Sequence, residues 1–277
     1  MEKPIHLNEL LHLSEEELRL SKIKFNQYNG ETNPIDEYNR DPNKVNDQWL
    51  FWRNSIRYFS VSQYAICLLK LTFDTWLLTT IKQVTKELGI TNGVNYEGIE
   101  VERLSQFFGR VIIKYHKFNR TQGVYAHTIM NELEVVQILP VIYDGEDFPG
   151  YDNVTLSFSQ LETIITRNKR DWIAALEHQK ALYLITDTNT GKHYVGSAYG
   201  TNGMLLKRWS NYVTNGHGGN VELKKIVDEL GFNYVKSHFQ YSILENYNSN
   251  VDKNFILERE SRWKRALSTR EWGYNKN

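Results

Sequence analysis

The sequence predicts an α+β protein of two domains. We expect a β-rich, barrel-like N-terminal domain over residues 1–150, and a C-terminal domain over residues 151–277 in which helices flank a small antiparallel sheet. Three observations predict this class. Short β-branched and aromatic segments fill the first half without long helices between them, a turn-rich linker lies near residues 144–158, and a tyrosine-bearing hairpin is followed by amphipathic helices in the last third.

The N-terminal strands are expected between Trp49 and Pro140, where turn signals such as Asn92-Gly93 separate apolar segments. Several short strands in succession are typical of an antiparallel sheet or barrel. Before them, a leucine-rich stretch has helical character, and a polar run from Asn26 to Asn46 predicts a loop. The expected strands cover residues 64–69, 75–81, 110–115 and 133–139.

The C-terminal domain is expected to begin with helices and continue with a hairpin. Ser159 and Glu162 have the spacing of a capping box, which predicts a helix start, and helical periodicity recurs over residues 171–176. Two strands, residues 181–185 and 193–195, then flank a polar turn that contains a glycine, as in a β-hairpin.

Composition limits the classes of function. The 277 residues include 33 basic and 33 acidic side chains, so a nucleic-acid surface must be a local patch and not a global charge. The single cysteine, Cys67, excludes an internal disulfide and a multi-cysteine zinc site. Because no segment has the apolar length of a membrane span or the h-region of a leader, we expect a soluble, cytoplasmic protein without a membrane partner.

The C-terminal third carries a series of candidate site residues. Tyr183 and Tyr194 lie on the two hairpin strands, and alternation places Tyr183 opposite its leucine neighbours, so that it need not be buried with them. Arg208 and Tyr212 are four residues apart and share one helix face. A guanidinium group there can hold two phosphate oxygens at once. Taken singly, each is equally compatible with an ordinary strand aromatic or surface arginine.

Three further residues follow. His217 lies in a glycine-rich loop and can take or relay a proton near neutral pH, although a solvated turn histidine explains it as well. Glu260 lies on the apolar seam of a helix over residues 255–267, where a carboxylate needs a partner, either an arginine or a metal ion. Glu258 is a competing candidate on another face. Asn275 is the last polar residue of the series.

The order of these residues resembles the GIY-YIG nuclease superfamily, over roughly residues 178–277. The resemblance implies a site in which Glu260 binds Mg²⁺ or Mn²⁺. It also implies that Tyr212, on the same helix as Arg208, lies close to the attacking water. Ala181, in place of the first glycine of the name motif, is a departure. The implied site residues are Tyr183, Tyr194, Arg208, Glu260 and Asn275. Either Tyr183 or Tyr212 then positions or deprotonates the attacking water, and Asn275 orients Glu260 or a metal-bound water.

The resemblance implies a metal-dependent endonuclease that hydrolyses phosphodiester bonds of DNA. We expect the N-terminal domain to choose the target, in restriction or phage defence. A structure-specific repair nuclease, a mobile-element nuclease and an inactive DNA-binding descendant are the alternatives. A homodimer would allow double-strand cleavage. The expected phosphate contacts are two groups of basic residues, Arg262, Lys264 and Arg265 near the end of the chain, and Arg110, Lys114 and Lys117 in the N-terminal domain.

Overall fold

The chain divides into two units, Met1–Asp144 and Gly145–Asn277. The structure is a computed structural model that describes residues 3–118, 121–200 and 204–276. None of the helices in these three ranges has the length and apolar character needed to span a bilayer.

The N-terminal unit is built on a large mixed sheet. Its strands are β1 Ile5–His6, β2 Ser21–Asn26, β3 Trp52–Arg53, β4 Tyr64–Lys70, β5 Thr75–Glu87, β6 Gly93–Val94, β7 Tyr96–Glu100, β8 Val111–Lys114, β9 Gly123–Tyr125 and β10 Glu134–Ile138. The strand order is β1-β10-β8-β5-β4-β2-β9, with β7 beside β5 and a separate β3-β6 pair. No pairing of β1 with β9 closes the sheet among the described residues, so the barrel stays a prediction.

Both faces of β4 are covered, which explains its continuous apolar run. Ile66 and Leu68 pack into one core, and Cys67 and Leu69 into another on the opposite face. The strand predictions over residues 64–69, 75–81, 110–115 and 133–139 are confirmed by β4, β5, β8 and β10. The parallel pairing of β2 with β4 was not expected, because partner choice depends on tertiary contacts.

Helices connect these strands. They are α1 Leu7–Leu11, α2 Glu15–Leu20, α3 Pro34–Arg40 and α4 Ala126–Ile129, with a π-helix over Lys44–Trp49 and 3₁₀ turns over Glu102–Phe107 and Met130–Glu132. The prediction of a loop from Asn26 to Asn46 is wrong over α3 and the start of the π-helix. Pro34 occupies the first turn of α3, where its missing N–H has no cost.

The C-terminal unit has a four-stranded antiparallel sheet with helices around it. Its strands are β11 Thr155–Ser157, β12 Lys180–Asp187, β13 His193–Ala198 and β14 Phe239–Tyr247, in the order β11-β14-β12-β13. A 3₁₀ turn spans Tyr151–Asn153, and the helices are α5 Phe158–Thr166, α6 Arg170–Glu177, α7 Met204–Asn215, α8 Val221–Leu230, α9 Phe232–His238 and α10 Lys253–Ala266. The predicted hairpin is confirmed as β12 and β13. The N-cap of helix α5 is Ser157, two residues before the predicted cap Ser159, and Ser157 and Gln160 form its capping box.

Candidate active site

Two tyrosines from different elements meet inside the C-terminal unit. The hydroxyls of Tyr183 on β12 and Tyr212 on α7 lie 2.9 Å apart and hydrogen-bond to each other. Both side chains are fully buried. Tyr183 lies on the face opposite its leucine neighbours, as expected, but that face is buried too, because α7 covers one face of the hairpin and α10 contacts its strands as well.

Glycines make room for both rings. Gly196 pairs with Tyr183 across the hairpin, and a Cβ at Gly196 would lie 2.7 Å from Cε2 of that ring. Gly218 has a φ of +53°, and a Cβ there would lie 2.6 Å from Cε1 of Tyr212. These two positions explain why the second strand and the loop after α7 carry glycine: a side chain would displace a phenol.

Burial sets the ionisation of the phenols. It raises the pKa of Tyr183 and of Tyr212 well above the ordinary value of 10.0, and the charge of Arg208 opposes this shift only partly. Burial also raises the pKa of Tyr194, whose ring centroid is 6.4 Å from that of Tyr183. At neutral pH the three phenols are therefore neutral hydrogen-bonding groups.

Arg208 lies beside these phenols at a cavity of about 400 Å³. Tyr183, Tyr212 and Tyr194 all lie close enough for an electrostatic interaction with Arg208, and Tyr183 contributes most to raising the pKa of Arg208 when the phenols ionise. The side chain is half-buried, on the face of α7 that also carries Tyr212 one turn later. The cavity is lined by Ser197, Ala198, Tyr199, Gly200, Met204, Lys207, Arg208 and Asn211.

Glu260 is held at this cavity by two donors. The hydroxyl of Ser197, which lines the cavity, donates to Oε2 of Glu260. The ammonium group of Lys264, one helical turn later on α10, lies 2.8 Å from Oε1. Only 13% of the Glu260 side chain and 6% of the Lys264 side chain are exposed. The carboxylate is thus an enclosed, charge-paired group, whereas Glu258 on the same helix is exposed.

A second carboxylate fixes the helix that carries Glu260. Arg259 donates two hydrogen bonds to Glu245 at the end of β14, and Nε1 of Trp263 donates a third at 2.9 Å. The Arg259 guanidinium, with help from Tyr247 and Trp263, lowers the pKa of Glu245 to about 2 against the cost of burial. The ion pair therefore sets the position of α10 on the sheet.

Asn275 binds backbone rather than Glu260. Its Oδ1 accepts from the N–H of Val195 and its Nδ2 donates to the carbonyl of Val195, both at 2.9 Å. The N–H of Tyr274 also donates to the carbonyl of His193 at 2.8 Å. Asn275 thereby fastens the chain after α10 to β13, next to Tyr194, and its amide has no contact with the Glu260 carboxylate among the described residues.

His217 lies in the loop between α7 and α8. Its Nδ1 accepts the N–H of Gly219 at 3.0 Å, so the neutral ring carries its proton on Nε2. Asn215 caps the loop by accepting from the N–H groups of His217 and Gly218. The adjacent glycine packs against Tyr212, which brings the loop close to the phenol pair.

The predicted DNA-contact residues fall into different environments. Arg262 and Arg265 are exposed on α10, and Lys114 is exposed on β8. Lys264 is buried in the ion pair with Glu260, which is a poor position for a phosphate contact. Arg110 donates to the backbone carbonyls of Leu139 and Gln106. The ammonium group of Lys117 lies 5.6 Å from the centre of the Phe25 ring.

The residues at Glu260 fit Mg²⁺ better than a metal that requires several protein ligands. Within residues 3–118, 121–200 and 204–276, no group of three or more His, Cys, Asp or Glu side chains could hold a metal ion. Mg²⁺ usually keeps several waters and needs one or two carboxylates plus substrate phosphates. Each carboxylate oxygen retains a lone pair beyond its present hydrogen bond. Glu260 could therefore ligate Mg²⁺ with Ser197 still bound.

Two neighbours of Glu260 were missed by sequence reasoning. Ser197 gave no signal of its own, because a serine at the end of a strand is common. Lys264 did give one: it follows Glu260 at the i, i+4 spacing that favours an ion pair on a helix. Lys264 is instead one of the residues that the sequence predicts to contact phosphates.

Comparisons with known proteins identify a similarity over about a third of the chain. No family model matches, and no curated protein is similar at a significant level. A solved structure of a point mutant of the catalytic domain of the intron endonuclease I-TevI is 29% identical, covering 36% of this chain and 94% of that one, with a TM-score of 0.29. The catalytic domain of the homing endonuclease I-TevI is also 29% identical, over 35% of this chain and 98% of that one, with a TM-score of 0.28.

Proposed function

We propose that the C-terminal unit is a divalent-metal-dependent endonuclease that hydrolyses phosphodiester bonds of DNA. One observation carries the proposal. Arg208 and Ser197 line one cavity, and the Ser197 hydroxyl donates to the Glu260 carboxylate, which is also paired with Lys264. A guanidinium group and a carboxylate at one cavity are the groups that bind a phosphodiester and the cation that neutralises it.

Arg208 is the phosphate-binding group of this proposal. Its planar guanidinium can donate to two non-bridging oxygens and offset the charge that develops on them as water attacks. The phenols of Tyr183, Tyr194 and Tyr212 lie within electrostatic range of Arg208. Because burial keeps Tyr183 and Tyr212 protonated, their role is to fix Arg208 and donate hydrogen bonds.

Glu260 is the metal ligand of the proposal. A bound Mg²⁺ or Mn²⁺ supplies a Lewis acid for the phosphate oxygens and lowers the pKa of its bound water. Ser197 fixes the carboxylate rotamer by donating to Oε2. Lys264 balances the negative charge from the protein side, one helical turn away. Both residues therefore position Glu260 and need not touch the substrate.

His217 is assigned the role of hydrogen-bond donor. With Nδ1 accepting the N–H of Gly219, its neutral ring carries its proton on Nε2. The Nε2–H can hydrogen-bond the leaving 3′ oxygen, which takes its proton from solvent water once the P–O bond breaks. Asn275 positions β13 through Val195, and so supports Tyr194 indirectly.

The N-terminal unit is proposed to choose the target, and Arg262 and Arg265 to contact phosphates beside the cleavage site. The second point is supported by the exposure of both arginines on α10, the helix that carries Glu260. Three further points stay predictions. They are a role in restriction or phage defence, a homodimer for double-strand cleavage, and a phosphate contact by Lys114 in the N-terminal unit.

The test is cleavage of unmethylated plasmid and phage DNA by wild-type protein and Glu260→Gln, each with and without Mg²⁺. We expect Mg²⁺-dependent fragments from the wild type, and loss of cleavage with retained DNA binding in the variant. Glu258→Gln is the matched control, because it removes a charge from the same helix at an exposed position. It should cut as the wild type does.

Two outcomes would contradict the proposal. Equal cutting by Glu260→Gln and wild type would remove Glu260 from the reaction, and Mg²⁺-independent cutting would remove the metal. Cleavage restricted to branched, damaged or single-stranded substrates would favour the structure-specific alternative over sequence-specific restriction. DNA binding without cleavage of any substrate would favour the inactive alternative.

A further inference from the structure

The N-terminal unit contains a second cavity, of about 530 Å³. It lies between the end of β2 and the segment from Gln48 to Trp52, and Val94 and Gln122 complete its wall. Ligand sites for small organic groups have volumes of this order. Gln48 and Trp49 come from the π-helix over Lys44–Trp49, a rare conformation that is often found at functional sites.

The cavity walls combine flat aromatic surface with carboxamides. Trp49 is half-buried and Trp52 is 41% exposed, so each indole presents apolar surface. The carboxamide side chains that line the cavity are Asn26, Gln27, Asn29, Gln48 and Gln122. A carboxamide offers both donors and an acceptor, which matches the mixed pattern on the hydrogen-bonding edge of a nucleobase.

Two buried polar residues form the inner end. Asn26 is almost fully buried, and the one hydrogen bond of its side chain among the described residues runs from Nδ2 to Sγ of Cys67 at 3.1 Å. Its Oδ1 is therefore left for a ligand. The ammonium group of Lys24, also buried, donates to the backbone carbonyl of Trp52. This hydrogen bond connects the Trp52 segment to β2 and stabilises the cavity wall.

An exposed aromatic and cationic patch adjoins the cavity. Gln27 lines both the cavity and a neighbouring depression formed by Lys70, Phe73, Asp74, His116, Lys117 and Phe118. Phe73 is 74% exposed and Phe118 is 84% exposed, and the ring of His116 lies between them at centroid distances of 5.4 and 4.4 Å. Clustered exposed rings beside lysines are typical of surfaces on which bases stack.

We propose that this cavity receives a single nucleobase turned out of the DNA helix, and that the patch of Phe73, His116 and Phe118 stacks on the bases that flank it. The inference rests on the proposed function for the identity of the polymer. The indoles contact the faces of the base, and the carboxamides, with Asn26 innermost, contact its edge. The N-terminal unit therefore recognises the target through one extruded base.

A preference among DNA substrates follows. Turning a base out of the stack costs a few kcal/mol in a paired duplex, and least where the base is mismatched, damaged or already single-stranded. The protein should therefore bind a duplex with one unpaired or weakly paired base more tightly than a perfect duplex of the same sequence. The cavity also has room beyond an ordinary base, which suits one with an added group.

The test is equilibrium binding, followed by the anisotropy of an end label, of full-length Glu260→Gln protein without Mg²⁺ to a duplex with one mismatched base pair and to the matched duplex of the same sequence. We expect tighter binding of the mismatched duplex. Stacking on an aromatic side chain is worth about 1–3 kcal/mol per base, so Trp52→Ala should weaken binding of the mismatched duplex roughly 5- to 150-fold and abolish the preference for it. Ile99→Ala, which removes an exposed apolar side chain from β7, is the control and should bind normally.

The outcomes separate this inference from the proposed function. Preferential binding of the mismatched duplex that is lost in Trp52→Ala, but no cleavage by wild-type protein, would keep the base pocket and refute the nuclease. Normal Mg²⁺-dependent cleavage by Trp52→Ala, with no preference for an unpaired base in either protein, would refute the base pocket and keep the nuclease. Tight binding of a free nucleoside, with no contribution from the DNA around it, would also overturn the proposal.

Discussion

Substitution of Lys264 by methionine tests the charge balance at Glu260. The side chains are 6% and 13% exposed, and the Lys264 ammonium lies 2.8 Å from Oε1 of Glu260. Breaking a buried ion pair by removing one partner costs about 3–5 kcal/mol. Because Glu260 keeps its bond from Ser197 and some contact with solvent, we expect a loss of about 2–3 kcal/mol in the free energy of unfolding.

Mg²⁺ should reverse that loss if Glu260 is the metal ligand. A ligand that binds only the native state stabilises it by about 2.7 kcal/mol at 100 times its Kd. In Lys264→Met the metal ion replaces the missing positive charge, whereas in the wild type Lys264 competes with it. Thermal unfolding in EDTA should therefore show the variant roughly 5–10 °C below the wild type, and excess Mg²⁺ should close most of the gap.

The double variant Glu260→Gln/Lys264→Met is the control for this experiment. It lacks both charges, so its unfolding temperature should not respond to Mg²⁺. Equal stabilisation of the wild type, the single variant and the double variant by Mg²⁺ would place the metal elsewhere. A single variant as stable as the wild type in EDTA would show that the ion pair contributes nothing, and the reasoning from burial would be refuted.

Three further predictions concern the framework of the site. Gly196→Ala should displace the ring of Tyr183 and reduce cleavage by tenfold or more while DNA binding is kept, and unchanged cleavage kinetics would contradict the steric argument. Asn275→Ala removes both hydrogen bonds to Val195 and should lower the unfolding free energy by about 1–3 kcal/mol in urea titration; an unchanged midpoint would refute this role. Since the pKa of Glu245 is lowered to about 2, its contribution is complete above about pH 4.5 and is lost as the pH falls toward 2. Glu245→Gln should therefore flatten the acid limb of the stability profile, and an unaltered limb would show that the ion pair does not contribute.

The elements of the C-terminal unit were predictable because their signals are local. The hairpin around the 187–192 turn, α7 and α10 each have a period that can be recognised within a dozen residues. The same is true of β4 and β5. The loop prediction from Asn26 onward failed because polar composition alone does not distinguish a loop from a short helix that packs Tyr38 into a core.

The contacts of the site were less predictable than its elements. Burial of Tyr183 depends on α7 and α10, which join the sheet from positions after β13. Ser197 acquires a role only because α10 places Glu260 opposite it, 63 residues later in the chain. The Asn275 contact spans 80 residues. Contacts between residues so far apart in the chain follow no pattern that can be recognised in the sequence. The pairing of Glu260 with Lys264 can be recognised, because residues four apart lie on one face of a helix.

During synthesis, β13 is complete well before Asn275, the residue that hydrogen-bonds Val195. The ribosome reaches Asn275 80 residues after Val195, which takes about 4–16 s at 5–20 residues per second. During that interval β13 lacks the partner that fixes it, and Glu260 is absent for most of the same time. The candidate site is therefore complete only when the last part of the domain has been synthesised. If the proposed nuclease activity is correct, unfinished chains would leave the DNA of the cell that makes them intact.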